Sequence, residues 1–148
     1  MTLSEWAAQH PDEIIADEAN RPAARALAAV VTREVTDAEG VPSDDGRLEH
    51  AFAACLAAAR SALAACGYRL RSNAHHYLAV ESLRLTLGLP EDEVHRLQVY
   101  RRMRARAMYE QVGIASREDA RAALATAKAV AERLRAWLTR EHPDLLPG

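Results

Sequence analysis

The sequence predicts an all-α protein, an antiparallel up-and-down bundle of four to five helices with a short helical N-terminal arm. The first observation is composition, because 32 of the 148 residues are alanine, the strongest helix former. Second, the β-branched residues that favour strands are sparse. Third, long segments repeat apolar residues with the helical period, and short connections between them imply antiparallel neighbours.

An acidic arm, residues 1–20, precedes the helical bundle of residues 21–148. A short helix is expected over residues 4–10, and Pro11 suits the first turn of a second one over residues 12–19. Three apolar side chains can dock the arm on the bundle: Trp6, Ile14 and Ile15. A loosely held terminal segment stays open as the alternative. A further hypothesis is that the arm covers a basic helix.

Five helices are predicted after the arm, at about residues 22–38, 47–66, 74–87, 91–112 and 117–141. Gly67, Gly88 and Gly113 end the second, third and fourth of them. Ser116 caps the last, with Asp119 three residues on as a variant of the capping box. Residues 68–71 are expected to be a plain connection, with Ser72 or Asn73 capping the next helix.

Composition also restricts the class of protein. The net charge of −2 excludes a molecule that binds polyanions over its whole surface. No apolar run is long enough to span a membrane, and residues 1–20 lack the basic start of a signal peptide. Cys55 and Cys66 would lie about 16 Å apart along one helix, too far for a disulfide. We therefore expect a cytoplasmic protein with free thiols.

The arginine-rich helix, residues 91–112, carries the strongest candidate for a functional site. Arg101, Arg102, Arg104 and Arg106 cluster there, and no acidic residue interrupts them before Glu110. Successive side chains turn by about 100°, which places Arg101 in the middle of an apolar face and Arg104 at its edge. Burying an unpaired guanidinium is costly, so this face should meet a partner subunit, a carboxylate or a ligand phosphate. A salt bridge to another helix is the alternative.

Two adjacent histidines, His75 and His76, open the third helix of the bundle. Neighbouring side chains on a helix diverge, so a shared metal ion is not expected. One histidine is expected to cap or hydrogen-bond near Tyr68 and Arg69, and the other can reach a functional cleft. No glycine-rich phosphate loop, CxxC or HExxH motif occurs in the sequence. We therefore expect neither a metal nor a cofactor.

An ordered set of short motifs resembles one known family. The motifs are Gly67-Tyr68-Arg69, then His75-His76, then the segment R-A-R-A-M-Y-E over residues 104–110. Residues 47–137 resemble HEPN domains, the "higher eukaryotes and prokaryotes nucleotide-binding" helical bundles. The likeness is to a bacterial branch with G-Y-R, H-H and R-N-x-x-x-Y-E in this order.

This resemblance implies a homodimer, because two copies of such domains meet to form the active site. Many members are metal-independent ribonucleases, often toxins paired with a nucleotidyltransferase-type antitoxin. Arg104 is then the phosphate-binding arginine, and Tyr109 occupies the position of the signature histidine. Ala105 replaces the polar residue that usually follows the arginine. The candidate ligand-binding residues are Arg101, Arg104, Tyr109, Glu110, Tyr68, Arg69, His75 and His76.

The tyrosine at position 109 decides the expected function. A general base for RNA cleavage should have a pKa near neutral pH, as histidine does, whereas the ordinary pKa of tyrosine is about 10. We therefore expect non-catalytic binding of a nucleotide, an RNA phosphate or a partner protein, within a toxin–antitoxin or defence system. Two alternatives stay open. One is an active ribonuclease in which His75 or His76 replaces the lost base. The other is a structural assembly protein whose helix arginines are all salt-bridged within the subunit.

Overall fold

The computed structural model describes residues 1–147 and confirms the all-α prediction. Six α-helices and one two-stranded antiparallel sheet make up the regular structure of this region. The helices are α1 Leu3–Ala8, α2 Ala23–Gly40, α3 Asp44–Ala65, α4 His76–Thr86, α5 Glu91–Tyr109 and α6 Arg117–Glu141. The strands are β1 Ile14–Ala16 and β2 Tyr68–Leu70. Short 3₁₀ turns lie at Glu18–Asn20 and Pro143–Leu145.

Helix α3 is the centre of the bundle and packs against α2, α4, α5 and α6. Its buried face includes Leu48, Phe52 and Leu63, which are almost fully enclosed. Most of its remaining buried positions are alanines, including the run Ala57–Ala59. Because alanine adds little bulk beyond the helix backbone, the neighbouring helices can approach α3 closely. Helices α2, α4, α5 and α6 are therefore positioned by their packing on α3.

The acidic arm differs from the prediction in its second half. Helix α1 forms as expected, but the segment predicted as a second helix instead contributes β1, which pairs antiparallel with β2. An isolated helix of eight residues would be marginal in water, whereas Ile14 and Ile15 suit a strand. Trp6 and Ile14 are buried, so the arm is docked on the bundle. The predicted connection after Gly67 is accordingly a strand.

Three helix ends also differ from the prediction. Helix α3 begins at Asp44, three residues before its predicted start, because the Ser43 side chain caps it by accepting the Gly46 N–H. Helix α4 begins after His75, which makes no side-chain cap, while Ser72 Oγ accepts the Ala74 N–H at 3.1 Å. Helix α5 ends at Tyr109, three residues before the predicted end. The loop that follows is held by α3, because the Asp45 carboxylate accepts the N–H groups of Gly113 and Ala115.

The structure also bears on the predicted state of the cysteines and on the helix lengths. Cys55 and Cys66 are free thiols, as predicted. Among the helices of residues 1–147, none combines the length and apolar character needed to cross a bilayer.

Candidate functional site

The candidate site is an open cavity of about 360 Å³ between the start of α4 and the second half of α5. Five of the eight residues predicted to bind a ligand line it, contributed by two helices. The lining residues are Ala74, His75, His76, Tyr77, Leu78, Arg101, Arg104, Ala105 and Tyr109. The structure thus brings the histidine pair and the arginine-rich helix together, although they lie far apart in sequence.

The α4 side of the cavity is an uncapped helix start. Because no side chain caps α4, the N–H groups of its first turn have neither an intrahelical partner nor a side-chain acceptor. They carry the partial positive charge of the helix dipole. Residues 76–78 of this turn line the cavity, so its wall offers N–H donors that suit an anion.

Arg101 is held in place by neutral groups. Its Nε donates to Gln98 Oε1 at 2.7 Å, and its guanidinium carbon lies 5.5 Å from the centre of the Tyr77 ring. Gln98 is itself only 4% exposed, and its Nε2 donates to the Tyr77 carbonyl at 3.1 Å and to Glu81 Oε2 at 2.9 Å. The amide therefore orients Arg101 without neutralising its charge.

Arg104 is half-buried on the same face of α5. Within residues 1–147 neither Arg101 nor Arg104 forms a salt bridge, and Arg104 donates no hydrogen bond. The predicted alternative, a salt bridge from Arg101 to another helix, is therefore not what the structure contains. Arg102 and Arg106, on the other side of α5, are exposed. Two positive charges thus line the cavity without a carboxylate to balance them.

The ring of His76 is partly buried in the wall of the cavity. Its ring meets Phe52 edge-on, with the ring centres 6.2 Å apart. Burial lowers the pKa of His76, and the nearby charges of Arg104, Arg60 and Arg101 lower it further, against a hydrogen bond with the Asn73 backbone that raises it. These effects favour the neutral form of the imidazole, which can accept a proton.

Tyr109 ends the arginine-rich helix at the mouth of the cavity. Its side chain is 77% exposed, and its neighbours Met108 and Val112 are also exposed. We call these three residues the α5-end patch. Val94 and Leu97, earlier on the apolar face of this helix that carries Arg101, are buried in the core. The prediction that this face meets a ligand or a partner therefore cannot apply to its first half, and only its second half is exposed.

Three predicted ligand-binding residues lie outside this cavity. Glu110 faces Arg106 at 3.9 Å in an exposed i,i+4 ion pair. Tyr68 and Arg69 line a separate cavity of about 220 Å³, where Arg69 Nε is 2.9 Å from Asp17 Oδ2 of the arm. The G-Y-R motif thus anchors the acidic arm, and the structure does not join it to the histidine pair.

Arg60 is a site residue that the sequence analysis missed. It lines the smaller cavity, donates from Nη2 to the Asn73 carbonyl at 3.1 Å, and its Nε is buried without a partner within residues 1–147. Burial lowers the pKa of Arg60. A signal was present, because Arg60 is the one charged residue in the second half of α3, where every other residue except Ser61 is apolar. A charged side chain among mostly apolar residues indicates that it pairs with a nearby polar group.

No protein-family model matches the chain, and neither the curated proteins nor the solved structures searched include a match.

Proposed function

We propose that this chain is a HEPN-like helical protein that binds a phosphate group of a nucleotide or RNA in the α4–α5 cavity without cleaving it. The observation that carries the proposal is the pair Arg101 and Arg104, two half-buried guanidinium groups without a carboxylate partner within residues 1–147. They face a helix start whose N–H groups are uncapped.

The chemistry of the cavity favours a phosphate over other anions. A planar guanidinium binds two oxygens of a phosphate at once, and two arginines can hold a group of double negative charge. The N–H groups of α4 add further donors. Two exposed rings flank the cavity, since Tyr77 is 53% exposed and Tyr109 is 77% exposed. Such rings can stack on bases, which supports a nucleotide or single-stranded RNA over inorganic phosphate.

Direct binding tests this proposal. Each of Arg101→Ala and Arg104→Ala should weaken the binding of a labelled single-stranded RNA by roughly 10–100-fold, because hydrogen bonds to charged groups contribute about 1.5–3 kcal/mol. Arg102→Ala is the matched control, since it removes the same charge from the exposed side of the same helix. Equal weakening in all three variants would mean that only net charge matters and that the cavity is not the site.

A second candidate function, RNA cleavage without a metal, is favoured by His76. This imidazole lines the same cavity as Arg104 and has a lowered pKa, so its neutral form can act as a base near pH 7. The purified protein would then cleave RNA, and both His76→Ala and Arg104→Ala would abolish the cleavage. Intact RNA and normal growth of cells that express the protein would leave binding as the function.

We further propose that the protein acts as a cytoplasmic homodimer. The exposed α5-end patch supports a subunit contact beside the cavity, and the free thiols suit a reducing compartment. The HEPN resemblance also supports a nucleotidyltransferase-type antitoxin as partner. Light scattering should report a dimer that Val112→Glu disrupts, because this substitution places a charge in the patch. A monomer at high concentration would refute the dimer.

A further inference from the structure

A second cluster of side chains with metal-binding atoms lies in the α2–α3 hairpin. Glu34 and Asp37 on α2 and His50 on α3 each present one ligand atom, and these atoms all lie within 4.8 Å of one another. Neither α4 nor α5 contributes to it. The cluster is therefore separate from the cavity of Arg101 and Arg104.

The topology of the hairpin explains why these residues meet. Helices α2 and α3 are joined by a turn of three residues, 41–43, and Glu34 and His50 lie at nearly equal distances along the chain from it. An antiparallel pair of helices brings such positions opposite each other. Asp37 is three residues after Glu34, so the two carboxylates project from the same side of α2.

Burial gives the cluster a protected side and an open side. The Glu34 side chain is only 15% exposed and that of His50 is 35% exposed, whereas Asp37 is at the surface. His50 Nδ1 and Glu34 Oε2 are 2.8 Å apart, which is close enough for a single ion to contact both atoms. The other carboxylate oxygen of Glu34 faces Arg33 Nη2 at 3.3 Å.

We propose that Glu34, Asp37 and His50 bind a divalent transition-metal ion of the Zn²⁺ type. A zinc ion about 2.0–2.2 Å from each of its nitrogen and oxygen ligands in a tetrahedral site separates neighbouring ligand atoms by about 3.3–3.6 Å. Nδ1 and Oε2, now 2.8 Å apart, need to separate by only about 0.5–0.8 Å to reach this spacing. The ion takes the place of the hydrogen-bond proton between these two atoms: Nδ1 and Oε2 bind the ion, and the imidazole stays neutral with its N–H on Nε2. The carboxylate of Asp37, on the open side, moves toward the ion and becomes the third protein ligand.

The ligand set determines the class of metal. One imidazole nitrogen with two carboxylates suits Zn²⁺ and its neighbours in the first transition series, whereas Mg²⁺ and Ca²⁺ prefer oxygen ligands alone. Three protein ligands leave a position for water, as in zinc sites that are open to solvent. Arg33, against the other oxygen of Glu34, can orient that carboxylate without competing for the ion.

Titration of the metal-stripped full-length protein with Zn²⁺ alone tests the proposal. Calorimetry should show one ion per chain, and Co²⁺ as a coloured substitute should give the visible absorption of a site with a nitrogen ligand. Asp37→Asn should weaken Zn²⁺ binding by at least about tenfold, since even supporting groups of a metal site contribute this much. Asp37 is exposed and its carboxylate forms no salt bridge within residues 1–147, so this variant should fold normally.

Matched controls separate coordination from charge. Glu39→Gln removes the same charge from the same helix, at a residue that faces Lys128 outside the cluster, and should leave Zn²⁺ affinity within about twofold because it removes no ligand atom. His95→Ala, at an exposed histidine of α5, is the control for His50→Ala. If Asp37→Asn and His50→Ala bind Zn²⁺ as tightly as their controls, or if the wild-type protein binds none, the proposal is wrong.

Discussion

The loop after α5 is fastened to the bundle by a single carboxylate. Asp45, in the first turn of α3, accepts the Gly113 N–H at 2.6 Å through one oxygen and the Ala115 N–H at 2.9 Å through the other. Hydrogen bonds to charged groups contribute about 1.5–3 kcal/mol each, and partial exposure of this site lowers that figure. Asp45→Asn keeps the shape but only one acceptor oxygen. We expect a loss of about 1–2 kcal/mol in the free energy of unfolding.

Asp44→Asn provides the reference for this measurement. Asp44 lies in the same first turn of α3 and shares the favourable interaction with the helix dipole, about 0.3–1 kcal/mol, but it does not contact the loop. Urea unfolding should therefore show a larger loss for Asp45→Asn at an unchanged m value, with Tm lower by about 2–8 °C. Amide exchange at Gly113 and Ala115 should accelerate in Asp45→Asn alone. Equal stability of the two variants, with unchanged exchange, would refute the fastening role.

Acidification below the ordinary histidine pKa of 6.5 should destabilise the fold, because the lowered pKa of His76 means that the unfolded chain takes up the proton more readily. His76→Asn should reduce this loss in urea titrations between about pH 7 and 5. Arg104→Ala should raise the pKa of His76 only part of the way in an NMR titration, since burial is the larger cause. Leu83→Ala should cost about 2–5 kcal/mol through a cavity, and Ala58→Leu about 1–3 kcal/mol through overpacking. Both positions are almost fully buried, and an unchanged urea midpoint in either would contradict the packing described. Trp6→Ala should expose the arm to proteases while the bundle melts almost as in the wild type; unchanged cleavage would mean that the ring does not hold the arm.

Local signals in the sequence were sufficient for most of the helices. The bounds of α6 agree with the prediction because Ser116 and Asp119 form a complete capping box, an interaction that spans three residues. The buried position of Trp137 follows from the same periodic pattern. Arg101 could be recognised because a charge in an apolar stripe conflicts with burial. Each of these inferences depends only on residues within a single helix or directly before it.

Features that depend on partners distant in sequence could not be predicted. The strand β1 exists because β2 lies beside it, and nothing within residues 12–19 indicates that neighbour. The cluster of Glu34 and His50 is invisible to motif searches, since its members belong to two helices and match no fixed spacing. Likewise, Arg69 lies apart from the histidine pair because β2 pairs with β1, where Arg69 also contacts Asp17. Short-range patterns define elements, whereas contacts between elements define sites.

The pairing of β1 with β2 has a consequence for the order of events during synthesis. Asp17 and Arg69 are 52 residues apart, so at about 5–20 residues per second the arm waits roughly 3–10 s for its partner strand. During that interval Trp6 and Ile14 have no surface on which to dock. Bringing β1 and β2 together across this long segment also costs conformational entropy. The cost is smaller once the α2–α3 hairpin has formed, because the hairpin shortens the flexible part of the segment. We therefore expect residues 1–20 to be among the last parts of this chain to reach their native position.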